Sequence, residues 1–178
     1  MFLNSYHQSK NKEIYVLVLL VLFSIIIRIP VILIYGDTSL ENEWQLLVYN
    51  LIENGKLVYE TFDNGFLLPN LWMPPLYPYY LYCFSFFGLE DKNYILLILL
   101  SQVFLASISV AMFYKINKIF FSEKVSFYIS LLFSIVPMHV YASSQISSIS
   151  LQTFLMMLFF YFFFQIVKKK NFSAIIFF

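Results

Sequence analysis

The chain has 178 residues, of which 61% are hydrophobic, 21% aromatic and only 12% charged, with a formal net charge of +1. A soluble domain is about half apolar and about a quarter charged, so a globular core in water is excluded, and the charge balance gives no reason to expect nucleic acid as a partner. With a mean hydropathy of +0.77 the chain reads as a polytopic membrane protein, and its one cysteine, Cys83, excludes an internal disulfide and a cysteine-based metal cluster.

Residues 1–13 are polar and carry Lys10 and Lys12; 14–35 is then apolar apart from Ser24 and Arg28. At about 1.5 Å per residue this segment is long enough for a hydrocarbon core of roughly 30 Å. The run is longer than the apolar region of a signal peptide, and its bulky end at 31–35 offers no small-residue cleavage site. It therefore reads as an uncleaved anchor. After Asp37 the pattern turns amphipathic: Leu40, Trp44, Leu47, Val48 and Leu51 recur at three and four, as on one face of a helix. Thr38 and Glu41 have the spacing of a capping box, and Gly55 suits the stop. Such a helix lies on a membrane surface. Residues 56–73 are expected to be irregular, with a turn at Asp63-Asn64-Gly65.

The stretch 76–87 is apolar and aromatic but bounded by Pro74, Pro75, Pro78 and Gly88. About a dozen residues is too short to span and suits an interfacial or re-entrant helix, with Tyr77, Tyr79, Tyr80 and Tyr82 at headgroup level. Three further segments, 93–114, 125–143 and 149–167, are long enough to cross. The expected fold is thus an all-α transmembrane helix bundle with an outer loop, 36–92, containing amphipathic juxtamembrane helices. Residues 172–178 read as the start of a further span, so the chain is expected to be the N-terminal part of a longer protein.

Charge orders these spans. With 76–87 outside the count, Lys10, Lys12, Lys115, Lys118, Lys124, Lys168, Lys169 and Lys170 all share one side, with only Glu13 and Glu123 beside them. Lysine-rich loops stay in the cytosol, which places the acidic 36–92 loop on the outer side of the membrane. The acidic side chains of that loop include Asp37, Glu41, Glu43, Glu53, Glu60, Asp63, Glu90 and Asp91.

An arginine in the first span, an acidic motif just beyond it, a surface helix ending in glycine and a Pro-Pro-x-Tyr-Pro segment together resemble the GT-C membrane glycosyltransferases. Protein O-mannosyltransferases and aminoarabinose transferases are members. The residues that carry the likeness are Arg28, Gly36-Asp37, Glu41-Asn42-Glu43-Trp44, Asn54-Gly55 and Pro74-Pro75-Leu76-Tyr77-Pro78, followed by the 115–124 loop, Pro137 and Tyr141. The resemblance implies an enzyme that moves a sugar from a polyprenyl-phosphate donor to an acceptor on the outer face. It implies membrane lipid and the polyprenyl-phosphate-linked sugar as partners. It also implies an acidic residue of the first outer loop as the base. An acceptor hydroxyl is a weak nucleophile, and a carboxylate within hydrogen-bond reach takes its proton as it attacks the anomeric carbon; a carboxylate there would alternatively hold a divalent metal ion against the donor phosphate.

Asp37, Glu41 and Glu43 are the candidate catalytic residues. Each has a structural alternative: a chain-exit turn for Asp37, a helix cap for Glu41 and a solvated surface carboxylate for Glu43. Glu41 and Glu43 flank the apolar stripe on opposite sides and do not easily reach one site. Arg28, Trp44, Tyr77 and Tyr141 are the candidate substrate-binding residues. Arg28 lies roughly 10 Å below the outer end of its helix, where it faces either the donor phosphate or the interface by snorkelling. His139 reads as a packed histidine and Cys83 as a small filler in an aromatic helix. The alternative to an enzyme is a non-catalytic polytopic protein, part of a transporter or an assembly factor. A transporter is expected to show charges or broken helices in several spans.

Overall fold

The computed structural model describes residues 2–40, 42–60, 67–69 and 73–169, with the backbone alone for 2–10, 42, 43, 59, 60, 67, 68, 168 and 169. It is an all-α bundle: α1 (Phe2–Tyr35), α2 (Asn42–Asn54), α3 (Leu76–Ser85), α4 (Asp91–Phe120), α5 (Glu123–Ser134), α6 (Pro137–Ala142) and α7 (Ile149–Lys169). The only extended pieces among the described residues are β1 (Val58–Glu60) and β2 (Leu67–Pro69). Asn11–Tyr35, Asp91–Phe120 and Ile149–Val167 are long and apolar enough to cross a membrane.

Half of the central window of α4 is buried, against 22% for α1 and 11% for α7, so α4 is the post around which the others stand. Its inward residues include Ile95, Ile98, Leu99, Gln102, Val103, Ala106, Val110 and Tyr114. Two apolar clusters divide this face. Leu20, Val110 and Tyr114 gather near one end, with Phe127 and Leu131 of α5 against them. Ile32, Val48, Tyr77, Leu81, Tyr94, Leu99 and Ile146 gather near the other. α7 turns Phe159, Phe162, Phe163 and Ile166 outward, the arrangement a lipid-facing helix requires.

The segment 125–143, expected as one span, is two helices instead. α5 stops at Ser134, Val136 leaves the helical region at φ −56°, ψ 117°, and α6 restarts on Pro137. Proline has no N–H to continue the ladder, and its ring disfavours a helical residue before it. α5 packs through serines: Ser126, Ser130 and Ser134 are buried at a spacing of four. Ser126 and Ser130 each donate to the carbonyl four residues back, at 2.9 and 2.8 Å. Small side chains on one face let helices approach closely, and self-satisfied hydroxyls keep that face dry.

The surface elements follow the sequence pattern more closely. α2 buries Leu47, Val48 and Leu51 and ends at Asn54, with Gly55 at φ +63° taking the left-handed position after it. The 56–73 stretch is less irregular than expected, because β1 and β2 pair antiparallel with Val58 opposite Pro69 and Glu60 opposite Leu67. The buried Asn50 side chain fastens this ribbon to α2 by donating to the Val58 carbonyl at 2.9 Å. The expected turn at 63–65 lies outside the described residues. α3 is short, as its bounding prolines and Gly88 imply, and it lies against α4. Tyr94 donates to the Leu81 carbonyl at 2.9 Å, and the Tyr80 and Ser101 hydroxyls are bonded to each other. Cys83 is exposed on this helix and fills no core position.

Candidate functional site

The end of α1 is tied to the α6–α7 connection by a set of bonds centred on Asp37. Its N–H donates to the Ser144 carbonyl at 3.2 Å, and its Oδ2 accepts the Ile146 N–H at 2.6 Å. Gln145 Nε2 donates to the Tyr35 carbonyl at 2.6 Å. Gly36 is required at this crossing. A Cβ there would stand 2.4 Å from the Ile32 carbonyl oxygen and 3.2 Å from Leu99 Cδ1, so the chain leaves α1 against the wall of α4.

Beside Asp37 sits an aromatic layer. Trp44 of α2 meets Tyr77 of α3 edge to face at 4.8 Å between ring centroids, and Tyr77 stacks on Tyr80 at 5.7 Å. Tyr77, expected at headgroup level, is 1% exposed, and its hydroxyl has no hydrogen-bond partner. Burial pushes the Tyr77 hydroxyl well above its usual value, and the neighbouring Tyr80 and the Asp37 carboxylate push it the same way. Burial also raises Tyr80, against the lowering effect of its bond to Ser101. Both phenols are therefore neutral at ordinary pH and act as fixed dipoles and ring faces.

A groove of about 440 Å³ opens along α2 and the start of α4, with Thr38, Gln45, Tyr49, Asp91 and Tyr94 among its walls. Its size is that of a small-molecule site, and its polar groups come from the segment after Asp37, from α2, from the end of α3 and from the first turn of α4.

The structure thus brings Asp37, Trp44 and Tyr77 to one corner of the bundle. Glu41 lies outside the described residues, and Glu43 is placed only by its backbone in α2. Tyr141 is 53% exposed on α6, where its carbonyl accepts the Ser144 hydroxyl at 2.7 Å; no contact joins it to the aromatic layer among the described residues. Arg28 belongs elsewhere. It is 1% exposed and neither snorkels nor reaches the groove. Nη1 donates to the Ser24 carbonyl and hydroxyl at 3.1 and 2.5 Å, and to the Ser134 carbonyl at 3.1 Å. It binds α1 to the end of α5 just where Pro137 interrupts the segment. His139 packs its ring against Phe133 at a tilt of 57°, with ring centroids 5.0 Å apart, as a packed histidine does.

A divalent ion needs a set of oxygen or nitrogen ligands converging on one point. No group of three or more His, Cys, Asp or Glu side chains among the described residues is arranged to hold one.

The serine stripe of α5 and the Asn50 tie were not anticipated from sequence. The stripe had a legible signal in serines four apart from 122 to 134; the Asn50–Val58 bond had none.

No protein-family model matches this chain, and comparison with curated proteins and with solved structures returns no match.

Proposed function

We propose that the Asp37 corner is the transfer site of a membrane glycosyltransferase of GT-C type, acting on the outer face of a bacterial inner membrane. The donor is a polyprenyl-phosphate-linked sugar. The observation that carries this reading is a half-buried carboxylate, Asp37, near enough to the Tyr77 hydroxyl to act on it, at the head of the 38–40 segment that walls a groove of about 440 Å³. Sugar rings present C–H faces that lie well on an exposed aromatic ring such as Tyr49 in the groove wall, while their hydroxyls need polar groups such as Thr38, Gln45 and Asp91.

In this reading the Ile146 N–H fixes the carboxylate through Oδ2, and Oδ1 accepts the proton of the acceptor hydroxyl. The acceptor oxygen forms its bond to the anomeric carbon as the bond from that carbon to the phosphate oxygen breaks. The polyprenyl phosphate leaves with the bonding pair, and the proton ends on Asp37. Base catalysis of this kind contributes about 10²- to 10⁴-fold.

Asp37→Asn is the informative variant, because its amide oxygen still accepts from Ile146 while the base is lost. With the full gene product and a short-chain polyprenyl-phosphate sugar, the release of polyprenyl phosphate is expected to fall by about 10²-fold or more. Normal turnover in Asp37→Asn, Glu41→Gln and Glu43→Gln alike would remove the enzyme reading. One observation favours the second reading, a non-catalytic polytopic membrane protein: the 2.6 Å bond from Ile146 to Oδ2 gives Asp37 a purely structural task. That reading predicts full function in Asp37→Asn and a loss only in Asp37→Ala.

A further inference from the structure

At the lysine-bearing end of the bundle a second groove, of about 400 Å³, runs between α1 and α5. Tyr15, Val16 and Leu19 line it from α1, and Phe127 and Tyr128 from α5. The α1 residues recur at three and four, so they make one stripe along that helix. Tyr15, Leu19 and Tyr128 are each more than half exposed, which leaves the groove open along the flank of the bundle. Its α1 wall belongs to the Asn11–Tyr35 stretch, long and apolar enough to cross a membrane. A lipid moving in the bilayer reaches such a flank, and a water-soluble molecule does not.

Two charged side chains, Glu123 and Lys124, share the lining, and they are not equivalent. Glu123 Oε1 is held by Lys118 Nζ at 3.1 Å, so its charge is already met. Lys124 has no ion pair among the described residues. Lys12 stands one turn before Val16 on the same face of α1. It too is exposed and has no ion pair among the described residues. Lys115 and Lys118 are engaged elsewhere: Lys118 with Glu13 and Glu123, and Lys115 at 5.7 Å from the centre of the Tyr161 ring. Two unmatched cations therefore border an apolar groove where the apolar run of α1 begins, the level of lipid headgroups. Basic pockets between spanning helices suit anionic headgroups.

We propose that this groove binds one membrane phospholipid of net negative charge. Its phosphate lies at Lys124 and Lys12, and an acyl chain runs along Val16, Leu19 and Phe127. A zwitterionic lipid brings a cation of its own to the same lysines and gains less. The groove lies about 30 Å along α1 from Asp37, at 1.5 Å per residue. It is independent of sugar transfer and stands or falls separately from it.

The test follows thermal unfolding of the intact chain in micelles of a neutral detergent. Dioleoylphosphatidylglycerol or dioleoylphosphatidylcholine is added, so that the chains are the same and only the headgroup differs. Phosphatidylglycerol is expected to raise the midpoint and to saturate, as for a ligand of the native state. Phosphatidylcholine should need about tenfold more lipid for the same shift. Lys124→Gln should raise the phosphatidylglycerol needed for half the shift by about fivefold, the effect of one lysine at an anionic surface. Lys92→Gln, at the opposite end of α4, should leave it unchanged. Both lysines are exposed, so neither change threatens the fold. Leu19→Trp, which fills the groove from an exposed position, should weaken both lipids. Equal half-saturation by the two lipids would overturn the site, and so would an equal loss in Lys92→Gln, the mark of diffuse attraction. An unaltered response in Leu19→Trp would place the chain elsewhere and overturn it too. Saturation by glycerol 3-phosphate at the same concentration would do likewise, since a free phosphate would then suffice.

Discussion

At one end of the bundle α1, α4 and α5 meet through charge on an exposed rim, whereas at the other α1, α6 and α7 meet through backbone hydrogen bonds beside a buried aromatic layer. On the rim, Lys118 Nζ sits 3.1 Å from both Glu13 and Glu123, and the glutamate side chains remain partly or largely in solvent. In the Asp37 corner the polar bonds run between main chain and side chain, beside the packed rings of Trp44, Tyr77 and Tyr80. Exposed ion pairs contribute little and are screened by salt. Buried packing and main-chain bonds contribute much and tolerate little change. The corner that carries the candidate carboxylate is therefore the stiff end of the molecule, the condition under which a catalytic group keeps its geometry.

The largest effect should come from emptying the centre of that corner. Tyr77→Ala removes a fully buried ring that both Trp44 and Tyr80 rest on. By comparison with other large-to-small changes it should cost about 3–5 kcal/mol, measured by chemical unfolding in micelles. A loss under about 1 kcal/mol would mean that the aromatic layer is not the stiff element. Gly36→Ala comes next. Its new methyl group meets backbone, the Ile32 carbonyl oxygen, at 2.4 Å, and backbone cannot yield as a flexible side chain does. A cost of about 1–3 kcal/mol is expected, visible as a lower unfolding midpoint.

Tyr77→Phe sharpens the comparison from the other direction. The Tyr77 hydroxyl has no partner, so removing it should be neutral or slightly stabilising near pH 7. The sign of the pH effect follows from the raised value in the fold. An unfolded phenol titrates near 10, while the folded one resists ionising. Its stability contribution is complete below pH 10 and declines as the pH climbs above 10 toward the folded value. Tyr77→Phe should flatten this alkaline decline, leaving the smaller part due to Tyr80. An unaltered alkaline profile would place the Tyr77 hydroxyl in water.

Much of the frame could be read from residues alone. The apolar runs marked α1, α4 and α7, three-and-four spacing marked α2, Gly55 marked its end, and flanking prolines kept α3 short. The failures have a common cause. Pro137 was visible, yet whether a proline bends a span or splits it depends on what the freed carbonyls find, and here Arg28 takes the one at Ser134. Ser24 could be expected to touch Arg28 because it lies four residues back on the same helix face. Ser134, 106 positions away, could not. Tyr77 was one of four tyrosines in a helix apolar on every side, so no periodicity distinguished the face that α2 would cover. Asp37 was singled out for its charge, whereas its bond to Ile146 across 109 residues belongs to the tertiary fold.

The smallest expected effect lies on the charged rim. Glu13→Gln removes one of the two carboxylates at Lys118 and leaves Glu123 in place at 3.1 Å. The Lys118 side chain is 22% exposed and that of Glu13 is 36% exposed, so solvent already weakens the attraction. A single exposed pair contributes about 0.2–1 kcal/mol, and the remaining glutamate offsets part of its loss. The difference from the unaltered chain should shrink further in about 1 M salt, where the screening length falls to roughly 3 Å. A salt-independent loss of several kcal/mol would reverse the comparison, making the ionic end the rigid one and Lys118 a buried linchpin of three helices. A small, salt-sensitive loss keeps rigidity at the Asp37 end, where α1 leaves the bundle beneath the groove.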